Sequence, residues 1–101
     1  MMAKGYILAM VTVADPEAYR ASGYMAMAED SVTTFGGRFM VRGGDPLALE
    51  GEAPGERIVI LEFPSREQAA AFHASAHYAP AITLRQSLAD SRLILLSEYV
   101  P

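Results

Sequence analysis

The chain has 101 residues and a formal net charge of −4, and 51% of its residues are hydrophobic. This length predicts a single domain over residues 1–101, without room for a second core. Cysteine is absent, which excludes disulfides, cysteine-ligated metals and a thiol nucleophile. The eight Lys and Arg residues form no run. No nucleic-acid partner is therefore expected, because such binding depends on basic side chains that neutralise phosphates.

Membrane insertion is not predicted either. The longest apolar runs, residues 6–13, 58–61 and 93–96, are far shorter than the ~20 residues that span a bilayer. The residues after Lys4 have a strand pattern in place of the leucine-rich core of a secretory signal. We therefore expect a soluble protein of the cytoplasm.

The first predicted elements are a buried strand and a long helix. Residues 6–13 are β-branched, aromatic and apolar without polar alternation, which is typical of a strand buried on both faces. Asp15 and Pro16 indicate the start of a helix, since Asp15 can cap it and Pro16 suits its first position. Apolar residues spaced three and four apart predict that this helix continues to Phe35, with Gly23 as a weak point inside it.

A short strand is predicted next, over residues 38–42. Side chains alternate along a strand. Phe39 and Val41 are therefore predicted on one face of the sheet, and Arg38 and Arg42 on the other.

The second half of the chain completes an α+β pattern. Strands are predicted over residues 57–63 and 93–100, and helices over residues 65–76 and 80–88. Ser65 and Gln68 form a capping box at the start of the first of these helices. The order β-α-β-β-α-β predicts a ferredoxin-like domain, in which one antiparallel sheet carries helices on one face.

The sheet built from these strands is apolar on both faces, whereas its helices can cover only one. A sheet with one wet face should alternate apolar and polar residues, and three of the four strands do not. The uncovered face would be a larger apolar patch than monomers usually expose, so we expect a homodimer through this sheet face. The alternative is a monomer whose acidic loop, residues 43–56, folds over the sheet, although that loop offers only Leu47 and Leu49.

Short motifs spread over the whole chain point to a known family. They are Asp15-Pro16 with Tyr19, Gly36-Gly37-Arg38-Phe39, Val41-Arg42-Gly43-Gly44, Leu49-Glu50-Gly51, the run from Arg57 to Ser65, and Ala70, Phe72, Ser75, Tyr78, Leu84-Arg85 and Leu93-Ile94-Leu95. Together they resemble the DUF1330 proteins. Two features depart from that pattern: residues 19–35 form a slightly longer segment, and His77 stands where an acidic residue is expected.

The resemblance implies the dimeric α+β barrel fold, in which two ferredoxin-like sheets pack into one barrel. It implies no particular activity, because the family has none assigned. The wider superfamily includes cofactor-independent monooxygenases, lactone isomerases and haem enzymes, so the fold leaves the reaction open.

Glu62 is a carboxylate in an otherwise apolar strand. Burial would raise its pKa and suit it to act as a general base. An ion pair with Arg38 or Arg42 on a neighbouring strand would instead give it a structural role.

His73 and His77 are spaced by one helical turn, which can present two imidazoles to one metal ion. The glutamate that zinc sites of the H-E-x-x-H kind place between the histidines is absent, and no acidic residue follows nearby. No metal is therefore predicted. His73 is expected at the edge of a pocket, and His77 in solvent.

The candidate catalytic residues are Glu62, His73 and Tyr78, and the candidate substrate-binding residues are Tyr19, Arg38, Arg42 and Arg85. Tyrosines at a barrel mouth can orient a polar group of an otherwise apolar ligand, and Arg42 could clamp a carboxylate or phosphate with two hydrogen bonds. The alternatives are packing with one satisfied hydroxyl for the tyrosines and anchoring of the following loop for Arg42.

Two functions agree with this pattern. The first is a cofactor-free enzyme, monooxygenase- or isomerase-like, acting on a small, mostly apolar molecule with an anionic or enolisable group. Its pocket would lie between sheet and helices near Glu62, His73, Tyr78 and Arg42. The second is a non-catalytic dimeric protein that binds a small ligand or assists another protein. Convergence of His73 or Glu62 with Tyr78 or an arginine on a common void would favour the enzyme.

Overall fold

A computed structural model describes residues 3–101 of the chain, which form four strands and four helices. In chain order these are β1 (Gly5–Val13), α1 (Pro16–Ala21), α2 (Tyr24–Thr34), β2 (Arg38–Gly43), β3 (Arg57–Phe63), α3 (Arg66–Ala74), α4 (Ala79–Leu88) and β4 (Ala89–Ser97).

The strands make one sheet in the order β2-β3-β1-β4, and every neighbouring pair is antiparallel. The helices lie on one face of this sheet. The predicted α+β class and ferredoxin-like arrangement are confirmed. Among residues 3–101, no helix is long and apolar enough to cross a membrane.

The core lies between the sheet and the helix layer. Ile7 of β1 and Phe63 of β3 point into it, and Val32 of α2 and Phe72 of α3 pack against them. The rings of Phe63 and Phe72 are 5.1 Å apart between centroids, and the ring of Tyr78 lies 4.3 Å from that of Phe72. This aromatic row fixes the position of Tyr78 at the start of α4.

The helix predicted to run to Phe35 is broken into α1 and α2. Gly23 separates them with a φ of 84°, in the left-handed region that glycine adopts without a Cβ clash. The weak point noted in the sequence is therefore a full break. The turn brings Tyr24, the first residue of α2, into the core.

A β-bulge changes which side chains of β2 face the helices. Phe39 and Arg42 both pair with inward-facing residues of β3, although Met40 and Val41 lie between them, because the register shifts at this point. An extra residue reverses the alternation of all residues that follow it. Arg42 therefore shares the inner face with Phe39 and Val41 faces outward, which corrects the prediction that placed both arginines together.

Within residues 3–101, no helix or loop covers the other face of the sheet. The molecule measures 42 × 39 × 16 Å, as expected for a slab of two layers. Met40, Ile94 and Leu96 on or beside the uncovered face are 46%, 41% and 44% exposed. The acidic loop does not bury its leucines there, since Leu47 and Leu49 are 82% and 90% exposed.

Candidate functional site

A narrow cavity of about 40 Å³ lies between the inner face of the sheet and the helices. Its apolar walls include Val11, Val59 and Leu93 of the sheet and Ala28 of α2. Its polar groups are all tyrosines and arginines: Tyr19, Tyr24, Tyr78, Arg42, Arg57 and Arg85. This space holds a few water molecules. An organic ligand must therefore displace flexible side chains at the mouth.

Arg85 is the charged centre of the cavity. It is 4% exposed, and no carboxylate lies within salt-bridge distance of it among residues 3–101. Its guanidinium donates from Nη1 to the Tyr78 hydroxyl at 2.9 Å and to the Tyr24 hydroxyl at 3.4 Å, and from Nε to Ser91 Oγ at 3.0 Å. These acceptors are neutral, so the cavity keeps a net positive charge.

One nitrogen of Arg85 is free to bind a ligand. Nη2 donates to no group among residues 3–101, whereas Nε and Nη1 do. No buried polar side-chain atom in this part of the chain lacks a hydrogen-bond partner. Nη2 must therefore border free space, and the cavity is the space that Arg85 lines.

Two tyrosine hydroxyls stand beside this charge. Tyr24 Oη and Tyr78 Oη are 2.7 Å apart and share a hydrogen bond. Burial, reinforced by the neighbouring Tyr24, raises the pKa of Tyr78 well above its ordinary value, so this phenol stays protonated. Burial is the largest single effect and lowers the pKa of Arg85, but the hydrogen bond to Tyr24 and the electrostatic effects of Tyr24, Tyr78 and Tyr19 together outweigh it, so the net pKa is raised. The cluster therefore presents a permanent cation and a hydroxyl donor.

Arg42 lies at the side of the cavity, where the bulge in β2 directs it. Its Nη2 donates to the carbonyl of Met25 at 3.0 Å, and its Nη1 lies 3.4 Å from Glu29 Oε2. The guanidinium also stacks over the Phe39 ring at 4.1 Å from the centroid. Arg42 thus holds α2 against β2, and its charge is already paired.

Glu62 and Arg38 do not reach the cavity. They pair with each other on the uncovered face of the sheet, where Glu62 Oε1 is 3.0 Å from Arg38 Nε and 3.6 Å from Lys4 Nζ. The hydrogen bond from Arg38 lowers the pKa of Glu62, against a smaller opposing effect of burial. This corrects the predicted position of both residues, because Glu62 alternates with inward-facing Leu61 and Phe63.

The two histidines separate because α3 ends at Ala74, before the predicted end of the helix at residue 76. His73 lines a different cleft, beside Ala70 and Leu93, although its ring centroid is 6.3 Å from that of Tyr78. His77 lies beyond the helix and binds Ser31, with Nδ1 2.7 Å from Ser31 Oγ.

Ser31, His77 and Asp30 have the composition of a hydrolase triad but not its accessibility. His77 Nε2 lies 3.3 Å from Asp30 Oδ2, opposite its contact with Ser31. Ser31 is 1% exposed and lines none of the cavities described above. A nucleophile must reach its substrate, so this row links α2 to the segment before α4.

The profile of the DUF1330 family, a domain of unknown function, matches residues 4–99. The chain belongs to the DUF1330 family. No protein of curated function matches this DUF1330 chain in sequence.

Solved structures share the fold of this DUF1330 protein. A protein of unknown function from Rhodopseudomonas palustris, RPA0582, is 24% identical with a TM-score of 0.71, and the match covers 100% of this chain and 86% of that one. SnoaB, a cofactor-independent oxygenase from Streptomyces nogalater, is 14% identical with a TM-score of 0.64, covering 98% and 96% of the two chains. An antibiotic biosynthesis monooxygenase is 17% identical with a TM-score of 0.62, covering 96% and 99%.

The structure of this DUF1330 protein therefore brings Tyr19, Tyr78, Arg42 and Arg85 to one cavity and leaves Glu62, His73 and Arg38 outside it. Sequence reasoning missed Tyr24 and Arg57, which also line the cavity. Arg57 has a signal in the sequence, because it alternates with Val59, Leu61 and Phe63 and must share their inner face. Tyr24 has none, since its burial depends on the turn at Gly23.

Proposed function

We propose that this DUF1330 protein is a cofactor-independent enzyme, monooxygenase- or isomerase-like, whose substrate is a small, mostly apolar molecule with an anionic or enolisable group. The substrate lies between sheet and helices, with its oxygen on Arg85 and Tyr78. One observation supports this proposal above all others. Arg85 lines the cavity and is buried, and among residues 3–101 it has no carboxylate within salt-bridge distance and no partner for its Nη2.

A buried arginine without a counterion is costly, since moving a charge out of water is opposed by several kcal/mol. Neutral hydroxyls offset only part of that cost. An anionic oxygen placed on Nη2 would complete the pairing with a charge-assisted hydrogen bond. The same interaction is stronger for an enolate than for the parent ketone, and such a difference is what accelerates a reaction.

Both reaction types share this enolate. In an isomerisation, a C–H bond breaks, its electron pair moves to the enolate oxygen, and the proton returns at another carbon. In an oxygenation, an activated CH₂ group reacts with O₂ to give a carbonyl and water, so the substrate supplies all electrons and no reductant is needed. Arg85 and Tyr78 would stabilise the enolate in either case. The cavity therefore supports the shared step, and experiment must separate the two outcomes.

A second candidate function is a non-catalytic protein that binds an anionic ligand. The observation that favours it is the lack of a base, because no carboxylate or imidazole lines the cavity within the described residues. An enzyme of this design must take its base from water or from the ionised substrate itself. A measurement of substrate turnover distinguishes the enzyme from the non-catalytic binding protein.

The binding site is tested with 4-nitrophenol, an apolar phenol that absorbs visible light only when ionised. Binding to the wild-type protein is expected to increase the ionised fraction at a fixed neutral pH. Arg85→Met should weaken binding by at least about tenfold, since hydrogen bonds to charged groups contribute ~1.5–3 kcal/mol. Arg66→Met is the matched control, because Arg66 bonds Ser97 far from the cavity. Equal binding by folded Arg85→Met protein would contradict the proposal.

Catalysis is tested with 2-tetralone, an apolar enolisable ketone, in deuterated water. Faster loss of the α-proton signal by NMR shows that the enolate forms. Oxygen uptake together with this exchange identifies an oxygenase, and exchange without oxygen uptake shows the reversible proton transfer that an isomerase uses. The rates of proton exchange and of oxygen uptake should both fall in Arg85→Met and stay unchanged in Arg66→Met. Binding of 4-nitrophenol with neither exchange nor oxygen uptake would establish the non-catalytic alternative.

We also propose that the working form is a homodimer through the uncovered face of the sheet. Its centre is apolar, with Leu8, Ile60 and Ile94 on neighbouring strands. A stable interface needs roughly 800 Å² per partner, and the two long dimensions of the whole molecule, 42 and 39 Å, limit the area that this side can offer. A second copy laid on this face would remove the apolar patch from water.

A further inference from the structure

A surface groove lies beside the cavity. This groove, of about 330 Å³, lies between α1 and the end of β1. It shares Val11, Tyr19, Met25 and Arg57 with the cavity. Met25 is a flexible side chain that yields readily to a ligand. Displacement of Met25 would join cavity and groove into one channel, with Arg85 at its inner end.

The channel collects the unpaired positive charge of the protein. Within residues 3–101, four of the eight basic side chains have no carboxylate within 4.0 Å: Arg20, Arg57, Arg66 and Arg85. Three of these four line the channel, Arg85 in the cavity, Arg57 in both parts and Arg20 in the groove. Acidic partners are not scarce, since the chain has 12 Asp and Glu residues. The channel is thus left cationic at both ends.

Tyr19 stands between the two ends with an unused hydroxyl. The residue is 6% exposed, and its hydroxyl makes no hydrogen bond to any group in residues 3–101. Burial and the neighbouring Tyr24 raise the pKa of Tyr19, and the charges of Arg57, Arg85 and Arg42 oppose this with smaller effects. Because no buried polar side-chain atom in residues 3–101 lacks a partner, this hydroxyl must border open space, where a ligand or water can bond to it.

We propose that the substrate carries a second acidic group, a carboxylate, which Arg57 and Arg20 bind at the groove end while its phenol or enol oxygen lies on Arg85. The substrate class is an elongated molecule with an apolar middle and an oxygen anion at each end. Tyr19 binds its middle or outer part. This inference rests on the proposed function, because it assigns the inner end of the ligand to Arg85.

The test compares two ligands that differ only in the carboxylate, 3-(4-hydroxyphenyl)propanoate and 4-ethylphenol, by titration calorimetry. The wild-type protein is expected to bind the acid about tenfold more tightly, as one hydrogen-bonded charge pair allows. Arg57→Gln should abolish that preference and weaken binding of 4-ethylphenol much less than Arg85→Met does. Arg20→Gln should reduce the preference, and Arg66→Gln, the matched control, should keep it. Arg85→Met should weaken binding of both ligands.

The outcomes separate this inference from the proposed function. Equal affinity for the two ligands, or an Arg57→Gln protein that keeps the preference, would overturn the second anionic site while the Arg85 site stands. Loss of affinity for both ligands in Arg57→Gln would also overturn it, since Arg57 would then act on the phenol end. Failure of both ligands to bind would overturn the proposed function and the inference together.

Discussion

Glu62 of β3 and Arg85 of α4 carry opposite charges and lie on opposite sides of the sheet. Their surroundings give them different roles. Glu62 is held between Arg38 and Lys4, so its charge is used inside the protein. Arg85 has only hydroxyl partners, so its charge is available to a ligand. A shifted pKa indicates a functional site only where no structural ion pair explains the shift. By this criterion Arg85 marks the site.

The ion pair of Glu62 leads to a prediction on pH. Its folded-state pKa is lowered, so its stabilisation is present above the unfolded-state pKa and is lost as pH falls through the folded-state pKa. In Arg38→Ala, the pKa of Glu62 should rise toward its ordinary value, as followed by carbon NMR of the carboxyl group. The free energy of unfolding should fall at neutral pH and match that of the wild type at acidic pH.

Arg66→Ala provides the control for this titration. Arg66 is another exposed arginine, and it bonds Ser97 instead of a carboxylate. Its replacement should leave the titration of Glu62 unchanged. A Glu62 pKa that stays low in Arg38→Ala would show that Lys4, or another group, is the cause.

Among the elements, β2 contributes a charged side chain, Arg42, to the cavity wall because of its bulge. Its bulge places Phe39 and Arg42 on the same face with two residues between them. Deleting Met40 would leave one residue between them, so regular pairing would keep both on the inner face. We expect the shortened protein to fold with its register intact and to lose no more than ~1 kcal/mol of stability, as measured by urea unfolding.

Deletion of one residue from a strand without a bulge supplies the control. Removing Ile60 from β3 shifts the register of half of that strand and sends its inward residues to the outer face. That protein should not fold. If the Met40 deletion were as damaging as the Ile60 deletion, the bulge would be a required part of the sheet and not a tolerated insertion.

The strands and their order follow from the sequence, because β-branched and apolar runs mark them and short connections leave few topologies. The bulge does not follow, since Met40 and Val41 are both apolar and nothing indicates which one is extra. The sequence allowed two interpretations of Glu62, a general base or a structural ion pair. The choice between them required the pairing of β2 with β3. Tyr24 was missed because only the three-dimensional turn at Gly23 buries it.

At the scale of the whole molecule, the uncovered sheet face has the composition of an interface. Apolar side chains occupy its middle, and charged pairs stand at its two ends. Arg38 with Glu62 marks one end, and Arg92 with Glu56 marks the other. Protein interfaces combine an apolar centre with a polar rim in this way. The ion pair of Glu62 with Arg38, on the face away from the cavity, therefore belongs to the rim of the proposed dimer interface.

The proposed dimer predicts the effect of one charge placed on this face. Ile94 is 41% exposed in the single chain, so Ile94→Glu should leave the protomer folded while burying an unpaired carboxylate in the dimer. Sedimentation equilibrium should give twice the chain mass for the wild type and the chain mass for Ile94→Glu. Met27→Glu, at a side chain 37% exposed on α2, should remain a dimer. A monomeric wild type, or a dimeric Ile94→Glu protein, would exclude this face as the interface.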